Sequence, residues 1–300
     1  MMPRYRGQGK APARIPPRLR YAAPHVRASL PLALCLLPLA APVSQAQAGT
    51  TRCWFEGGVL VVPAAVLGVA GDYVLDTGAP HTLMADTQAQ GAGYGETELN
   101  GEVRLAGVSL QDRPVQVATL DARLRALPTP VAGVIGADML AGRVLDVAFA
   151  PCRVALYPAG RAPPFGRATT LPLAWRDGRP VIAAAAADGR RTLAGDFVPA
   201  TGSDTPVRLR DDLADAPGSS RREALYPYGG ARPRLRALSF AGDLFEDQPS
   251  GLVARPELDA VGEIGAPVLA HFRLRFDFAG GELRLARPMR KGPPDRSGGP

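Results

Sequence analysis

Two 21-residue stretches of this chain, GADMLAGRVLDVAFAPCRVAL (Gly136–Leu156) and GAPVLAHFRLRFDFAGGELRL (Gly265–Leu285), align without a gap and share eight identical residues. The matches include Gly136/Gly265, Leu140/Leu269, Phe149/Phe278 and Leu156/Leu285. Each stretch starts on the last glycine of a Gly-x-Ile-Gly, Gly133–Gly136 and Gly262–Gly265. Upstream, YVLDTGAP (Tyr73–Pro80) is echoed by DFVPATGSD (Asp196–Asp204), with Ala200 where Asp76 stands. The order is the same in both copies: 60 residues separate Asp76 from Gly136, and 65 separate Ala200 from Gly265. A fold for this chain must therefore contain one unit twice, related by an approximate symmetry.

Each unit reads as β structure. With 34 Gly, 31 Pro and only 6% aromatic residues, the composition suits a turn-rich β protein. Val59–Val62 and Asp72–Leu75 are short apolar runs between turn signals, and Pro114–Ala118 alternates with period two. Phe276–Leu285 reads as a hairpin with Ala279-Gly280-Gly281 at its tip. Met139–Arg143 and Val268–Phe272 each have room for one helical turn. Ala183–Ala187 favours helix by propensity, but its place in the repeat, before Asp188-Gly189, favours strand. The Pro- and Gly-rich stretch 158–170 marks a linker between lobes at 49–157 and 171–288, and 289–300 has no apolar face and reads as a disordered tail.

At Asp76-Thr77-Gly78-Ala79 the sequence resembles the aspartic peptidases. An apolar pair precedes the acid, an apolar-Gly follows some 60 residues later, and a short helix and closing hairpin complete the pattern. The likeness is to the retropepsin-like and pepsin-like fold, especially its exported bacterial members, and it spans nearly all of residues 54–287. It implies an all-β fold of two tandem barrel lobes with short helices, related by a pseudo-twofold axis. It also implies that each lobe delivers one loop to the interface, where two aspartates share a proton. One then acts as base toward a bound water and the other protonates the scissile carbonyl, with no cofactor and no metal. Gly78 fits the tight turn that such a loop needs.

The second loop departs from that pattern. Ala200-Thr201-Gly202-Ser203 keeps the Thr-Gly-Ser scaffold without the acid, and Pro199 removes an N–H from the delivering strand. Asp196, four residues upstream, lies about 13 Å away along a strand and is too far to substitute. Asp204, four residues downstream around a turn, is the one nearby acid that could curl back. Tyr94, within the 92–110 region, is the candidate flap aromatic, and Tyr226–Gly230 is the candidate counterpart hairpin. His81 and His271 are isolated from any Ser or Cys nucleophile and read as structural or exposed.

Seven basic residues and no acid fall within residues 1–48. Without them the 35 basic residues drop to 28, equal to the 28 acidic ones, so the net charge of +7 belongs to the leader and no footprint for nucleic acid remains. That leader, residues 1–48, combines the basic region with the apolar run Leu30–Ala41 and the A-x-A site Ala46-Gln47-Ala48. It is a secretory signal peptide too short in its apolar part to span a membrane. Export to the periplasm or beyond leaves Cys53 and Cys152 in an oxidising compartment, where a disulfide is expected.

Two readings follow from the resemblance. In one, the chain is a monomeric pseudopeptidase that binds extended peptide or protein between its lobes without efficient cleavage. In the other, it is a working aspartic endopeptidase in which Asp76 pairs with Asp76 of a second chain or with Asp204.

Overall fold

The apolar runs bounded by Gly, Pro and Asp form twenty strands among the residues described by the structure, a computed structural model covering residues 48–188, 191–214 and 234–288. The first lobe holds β1 (Gly49–Arg52), β2 (Trp54–Glu56), β3 (Val59–Val66), β4 (Val69–Leu75), β5 (Leu83–Ala85), β6 (Glu98–Leu105), β7 (Val108–Ala118), β8 (Gly133–Ile135), β9 (Arg143–Phe149) and β10 (Cys152–Pro158). The second repeats them in order as β11 (Thr169–Pro172), β12 (Ala174–Arg176), β13 (Arg179–Asp188), β14 (Arg191–Ala200), β15 (Val207–Arg210), β16 (Arg234–Phe240), β17 (Asp243–Val253), β18 (Gly262–Gly265), β19 (Arg273–Asp277) and β20 (Glu282–Ala286). Helices are single short turns: α1 (Asp86–Gly91), α2 (Ala122–Arg125), α3 (Asp211–Ala214) and α4 (Ala266–Leu269). None of the described helices is long and apolar enough to cross a membrane.

Three sheets organise these strands. One runs β2-β3-β4-β8-β5-β7-β6 and closes by pairing β3 with β6; its copy runs β12-β13-β14-β18-β15-β17-β16 and closes through β13 and β16. Each is a six-stranded barrel with one extra strand. The expected pseudo-twofold, all-β architecture is present, and the alanine run 183–187 lies within strand β13. There the requirement for sheet partners outweighs alanine's helix propensity, since β13 pairs on both sides, with β14 and β16. The helical turns begin slightly earlier than the sequence suggests, at Ala137–Met139 (a 3-10 turn) and at α4.

The Gly-x-Ile-Gly segments explain themselves here. β4 runs parallel to β8 (Leu75 opposite Ile135), and β14 parallel to β18 (Ala200 opposite Gly265). β5 and β15 cross the other side of these strands so closely that a Cβ on Gly133 would sit 2.1 Å from the Leu83 carbonyl oxygen. A Cβ on Gly262 would sit 2.4 Å from the Arg208 carbonyl oxygen. Any side chain at either glycine would push β8 away from β5, or β18 away from β15.

The third sheet, β1-β10-β9-β19-β20-β11, is shared, and the lobes meet in it where β9 pairs antiparallel with β19. Asp146 and Arg275 are each the eleventh residue of the 21-residue repeat and face each other across this junction, so they lie on the pseudo-twofold axis. Their ion pair is bidentate, Arg275 Nε to Asp146 Oδ1 at 2.6 Å and Nη2 to Oδ2 at 2.7 Å. Arg275 also donates to the Pro163 carbonyl at 2.6 Å and stacks over the Phe165 ring at 4.7 Å. Two identical first lobes joined the same way would oppose Asp146 to Asp146. The charge difference at this position therefore favours pairing of unlike lobes within one chain.

One apolar cluster runs through both barrels and the shared sheet, with Leu60, Tyr73, Leu75 and Ile135 on one side and Phe197, Ile264, Leu274 and Phe276 on the other. Cys53, between β1 and β2, is disulfide-bonded to Cys152 at the start of β10, 99 residues away. The leader through residue 47, the tail from residue 289 and the candidate hairpin Tyr226–Gly230 lie outside the described residues.

Candidate active site

Asp76 stands at the carboxyl end of β4, where its amide donates to the Ile135 carbonyl at 2.9 Å. The loop then turns so that Gly78 N–H reaches back to Asp76 Oδ1 at 2.8 Å. The same oxygen accepts Gly202 N–H from the other lobe at 3.0 Å. The two loops are therefore face to face within one polypeptide. A Cβ on Gly202 would fall 2.5 Å from Asp76 Cγ, and a Cβ on Gly78 would fall 2.5 Å from Ala200 Cβ. Both turns need glycine because each lies against the residue at the acid position of the opposite loop.

Thr77 and Thr201 lock the loops together. Thr77 N–H donates to Thr201 Oγ1 at 3.0 Å, and Thr201 N–H to Thr77 Oγ1 at 3.3 Å. Each hydroxyl continues across the interface, Thr77 Oγ1 to the Pro199 carbonyl at 2.5 Å and Thr201 Oγ1 to the Leu75 carbonyl at 2.6 Å. Both threonines are fully buried. Pro199 lacks an N–H, but it remains in β14 and its carbonyl is what the lock uses. The symmetry extends to the turns: Ala79 N–H donates to Asp76 O, and Ser203 N–H to Ala200 O, both at 3.3 Å.

What differs between the loops is charge. Asp76 keeps part of its surface open, whereas Ala200 is buried in an apolar cluster with Val181, Val198 and Val253. Burial pushes the Asp76 carboxyl above its ordinary range. The amides of Gly78 and Gly202 and then the positive charges of Arg208 and Arg179 pull it back, without cancelling the rise. Arg179 is fixed by donating to the Gly78 carbonyl at 3.0 Å. Arg208 pairs with Glu263 at 3.0 Å. Arg208 and Glu263 sit opposite each other in β15 and β18, the register position that Leu83 and Val134 fill in the first lobe. The second lobe has thus replaced an apolar pair by an ion pair beside the site.

A cavity of about 130 Å³ opens at the junction, lined by Asp76, Ala200, Gly202, Ser203, Asp204, Arg208 and Glu263. Gly57 and Val59, with Asp121, Leu124 and Leu127 around α2, complete its wall. The sequence-expected residues Asp76, Thr77, Gly78, Ala200, Thr201 and Gly202 all meet here. Asp204 lines the same cavity, and its Oδ1 accepts Thr205 Oγ1 at 2.9 Å. Asp196 is instead ion-paired with Arg176. Tyr94 lies elsewhere: its ring packs against the main core and its hydroxyl donates to the Leu67 carbonyl at 2.8 Å. Nor does any other residue of 92–110 line the cavity. That stretch supplies β6 and the β6–β7 turn, whose residues Leu105, Ala106, Val108 and Leu110 are buried in the barrel. His81 and His271 are exposed. Among the described residues no three His, Cys, Asp or Glu side chains are grouped to hold a metal ion.

Arg208, Glu263, Arg179, Ser203 and the α2 residues were not singled out from the sequence. One signal was available: Glu263 interrupts an otherwise apolar Gly-x-Ile-Gly where the first copy has Val134.

No family model matches this chain, and no curated protein matches it. Among solved structures it is similar to the crystal structure of the aspartic proteinase from Irpex lacteus, at 12% sequence identity and a TM-score of 0.50. The match covers 80% of this chain and 97% of that one. The likeness extends over both lobes, and with the closed barrels and the paired loops it establishes the fold. The chain has the two-lobed, pepsin-like fold of an aspartic proteinase, with a carboxylate on one loop and a methyl group on the other.

Proposed function

We propose that this chain is an exported pseudopeptidase of the aspartic peptidase family, which binds extended peptide in the inter-lobe cleft without cleaving it efficiently. The observation that carries the proposal is Ala200 directly opposite Asp76 in an otherwise complete two-loop scaffold. Water attack on a peptide needs a base and an acid at once. A single carboxylate supplies one of these, and loss of a positioned general acid costs about 10²–10⁴ in rate. The threonine lock and both glycines keep the two loops face to face, so the cleft between the lobes is preserved.

The second reading, an active endopeptidase, draws support from Asp204 on the cavity wall. Its trans version, with two Asp76 loops together, requires the Thr201 loop to leave and Asp146 to meet Asp146. The lock and the charge on the pseudo-twofold axis both weigh against it. The test is binding of fluorescent, C-terminally amidated unstructured peptides to the mature protein at pH 4–6, with mass spectrometry of the recovered peptide. Saturable binding of intact peptide, displaced by a transition-state-mimicking aspartic peptidase inhibitor, supports the proposal. Absence of binding, or Asp76-dependent cleavage, overturns it.

A further inference from the structure

We propose that the space beside Asp76 is a receptor for a ligand's carboxyl group, with Ala200 leaving the room and Ser203 providing the hydrogen-bond donor. This rests on the reading that the inter-lobe cleft is a binding site, and it names what the centre of that cleft selects. Ala200 and a molecule of formate together have the heavy atoms of an aspartate side chain. The cavity, about 130 Å³, has the volume of about four liquid-water molecules, enough for a carboxyl group with one or two carbons attached.

Ser203 is the unusual feature. The residue is 5% exposed, it lines the cavity, and its Oγ is buried without a partner among the described residues. A buried hydroxyl without a protein partner favours an acceptor brought within its reach. The matching residue in the first lobe is Ala79, so the spare donor lies on the Ala200 side only. The ligand's carboxyl would occupy the space bordered by Ala200, Ser203 and Asp76, which all line the cavity.

The surrounding charges set the conditions. Arg208 (β15) and Arg179 (β13) are the positive groups acting on Asp76, and Arg208 is engaged with Glu263 (β18). Asp204 and Asp121 also line the cavity. With so many acids present, an ionised ligand does not enter beside an ionised Asp76; the two carboxyls hold one proton between them. Binding at neutral pH therefore takes up a proton, and affinity falls about tenfold per pH unit once both partners are ionised when free.

The carboxyl can come from a small free acid or from the C-terminus of a peptide, and the test separates these. ¹³C-formate is titrated into the mature protein by NMR at pH 4, 5 and 6, alongside two peptides identical except for a C-terminal acid or amide. Saturable formate binding is expected, weakening with rising pH. Ser203→Ala should weaken it about fivefold or more, and Ala200→Asp, which fills the space, should abolish it. A free-acid peptide that binds at least tenfold tighter than its amide at pH 4.5 assigns the site to chain ends; equal peptides with formate binding assign it to small acids. No saturable formate binding, or equal binding by Ala200→Asp, overturns the receptor. If amidated peptide still binds in that case, the peptide-binding reading survives. If formate binds and no peptide does, the receptor stands and that reading falls.

Discussion

Removing Arg275 should be among the most damaging single changes outside the barrel cores. Its side chain is 6% exposed and that of Asp146 21% exposed, so neither is well solvated. Arg275→Met deletes both charge-assisted bonds to Asp146, the bond to the Pro163 carbonyl and the contact with Phe165. It leaves a largely buried carboxylate without its partner, which costs about 3–5 kcal/mol. That is a large share of a typical domain stability of about 5–15 kcal/mol. Because the two residues are equivalent by the repeat, the exchange Asp146→Arg with Arg275→Asp restores an ion pair on the same axis. It should recover more than half of the loss; recovery is incomplete because Pro163 and Phe165 lie on one side only. Urea unfolding, disulfide intact, measures the loss in Arg275→Met, and the parent, Asp146→Arg, Arg275→Asp and the exchange form a double-mutant cycle. A loss below about 1 kcal/mol for Arg275→Met, or an exchange no better than the worse single variant, would refute the claim that unlike charge at the dyad holds the lobes together.

Asp76→Asn should stabilise the protein at pH 7. The Asp76 carboxyl has a raised folded-state pKa, so the folded chain holds its proton more tightly than the unfolded chain does. Stability is therefore lost as pH rises from the ordinary value of 3.8 through the raised one, the reverse of a salt-bridged carboxylate. The melting temperature of Asp76→Asn should exceed that of the parent at pH 7 and approach it near pH 3; a parent that is the more stable at pH 7 contradicts this. Arg143 and Arg113 each bury a guanidinium nitrogen with no partner among the described residues, and burial followed by the Arg113 charge pulls the Arg143 pKa down. Arg143→Met should raise stability by about 1 kcal/mol in urea titrations. Replacing Cys53 and Cys152 together by serine opens a loop of 99 residues and should cost up to about 4.7 kcal/mol, measured by thermal unfolding of both forms.

The barrels were legible because their signals are local. Apolar runs between Gly and Pro, and glycines that must admit a neighbouring backbone, appear in the order in which the fold uses them. The facing of Ala200 and Asp76 was legible because the repeat carries the symmetry. The charges around Asp76 were not, since Arg179, Arg208 and Glu263 reach it from three strands far apart in sequence. Ser203 reads as an ordinary turn residue until its surroundings show that its hydroxyl has no partner among the described residues. Tyr94 shows the opposite limit: an aromatic between acid loop and hairpin suits a flap, but the Leu67 carbonyl and the barrel core take it first.

The central claim is that the missing carboxylate at Ala200 is what keeps the site from cleaving peptide. Ala200→Asp restores it with a single change. Cleavage of an unstructured protein substrate at pH 3–5 by the parent, Asp76→Asn and Ala200→Asp tests this directly. The account expects no difference between parent and Asp76→Asn, and new cleavage by Ala200→Asp that a transition-state-mimicking aspartic inhibitor blocks. Asp76-dependent cleavage by the parent, or a folded Ala200→Asp protein that remains inert, would contradict it.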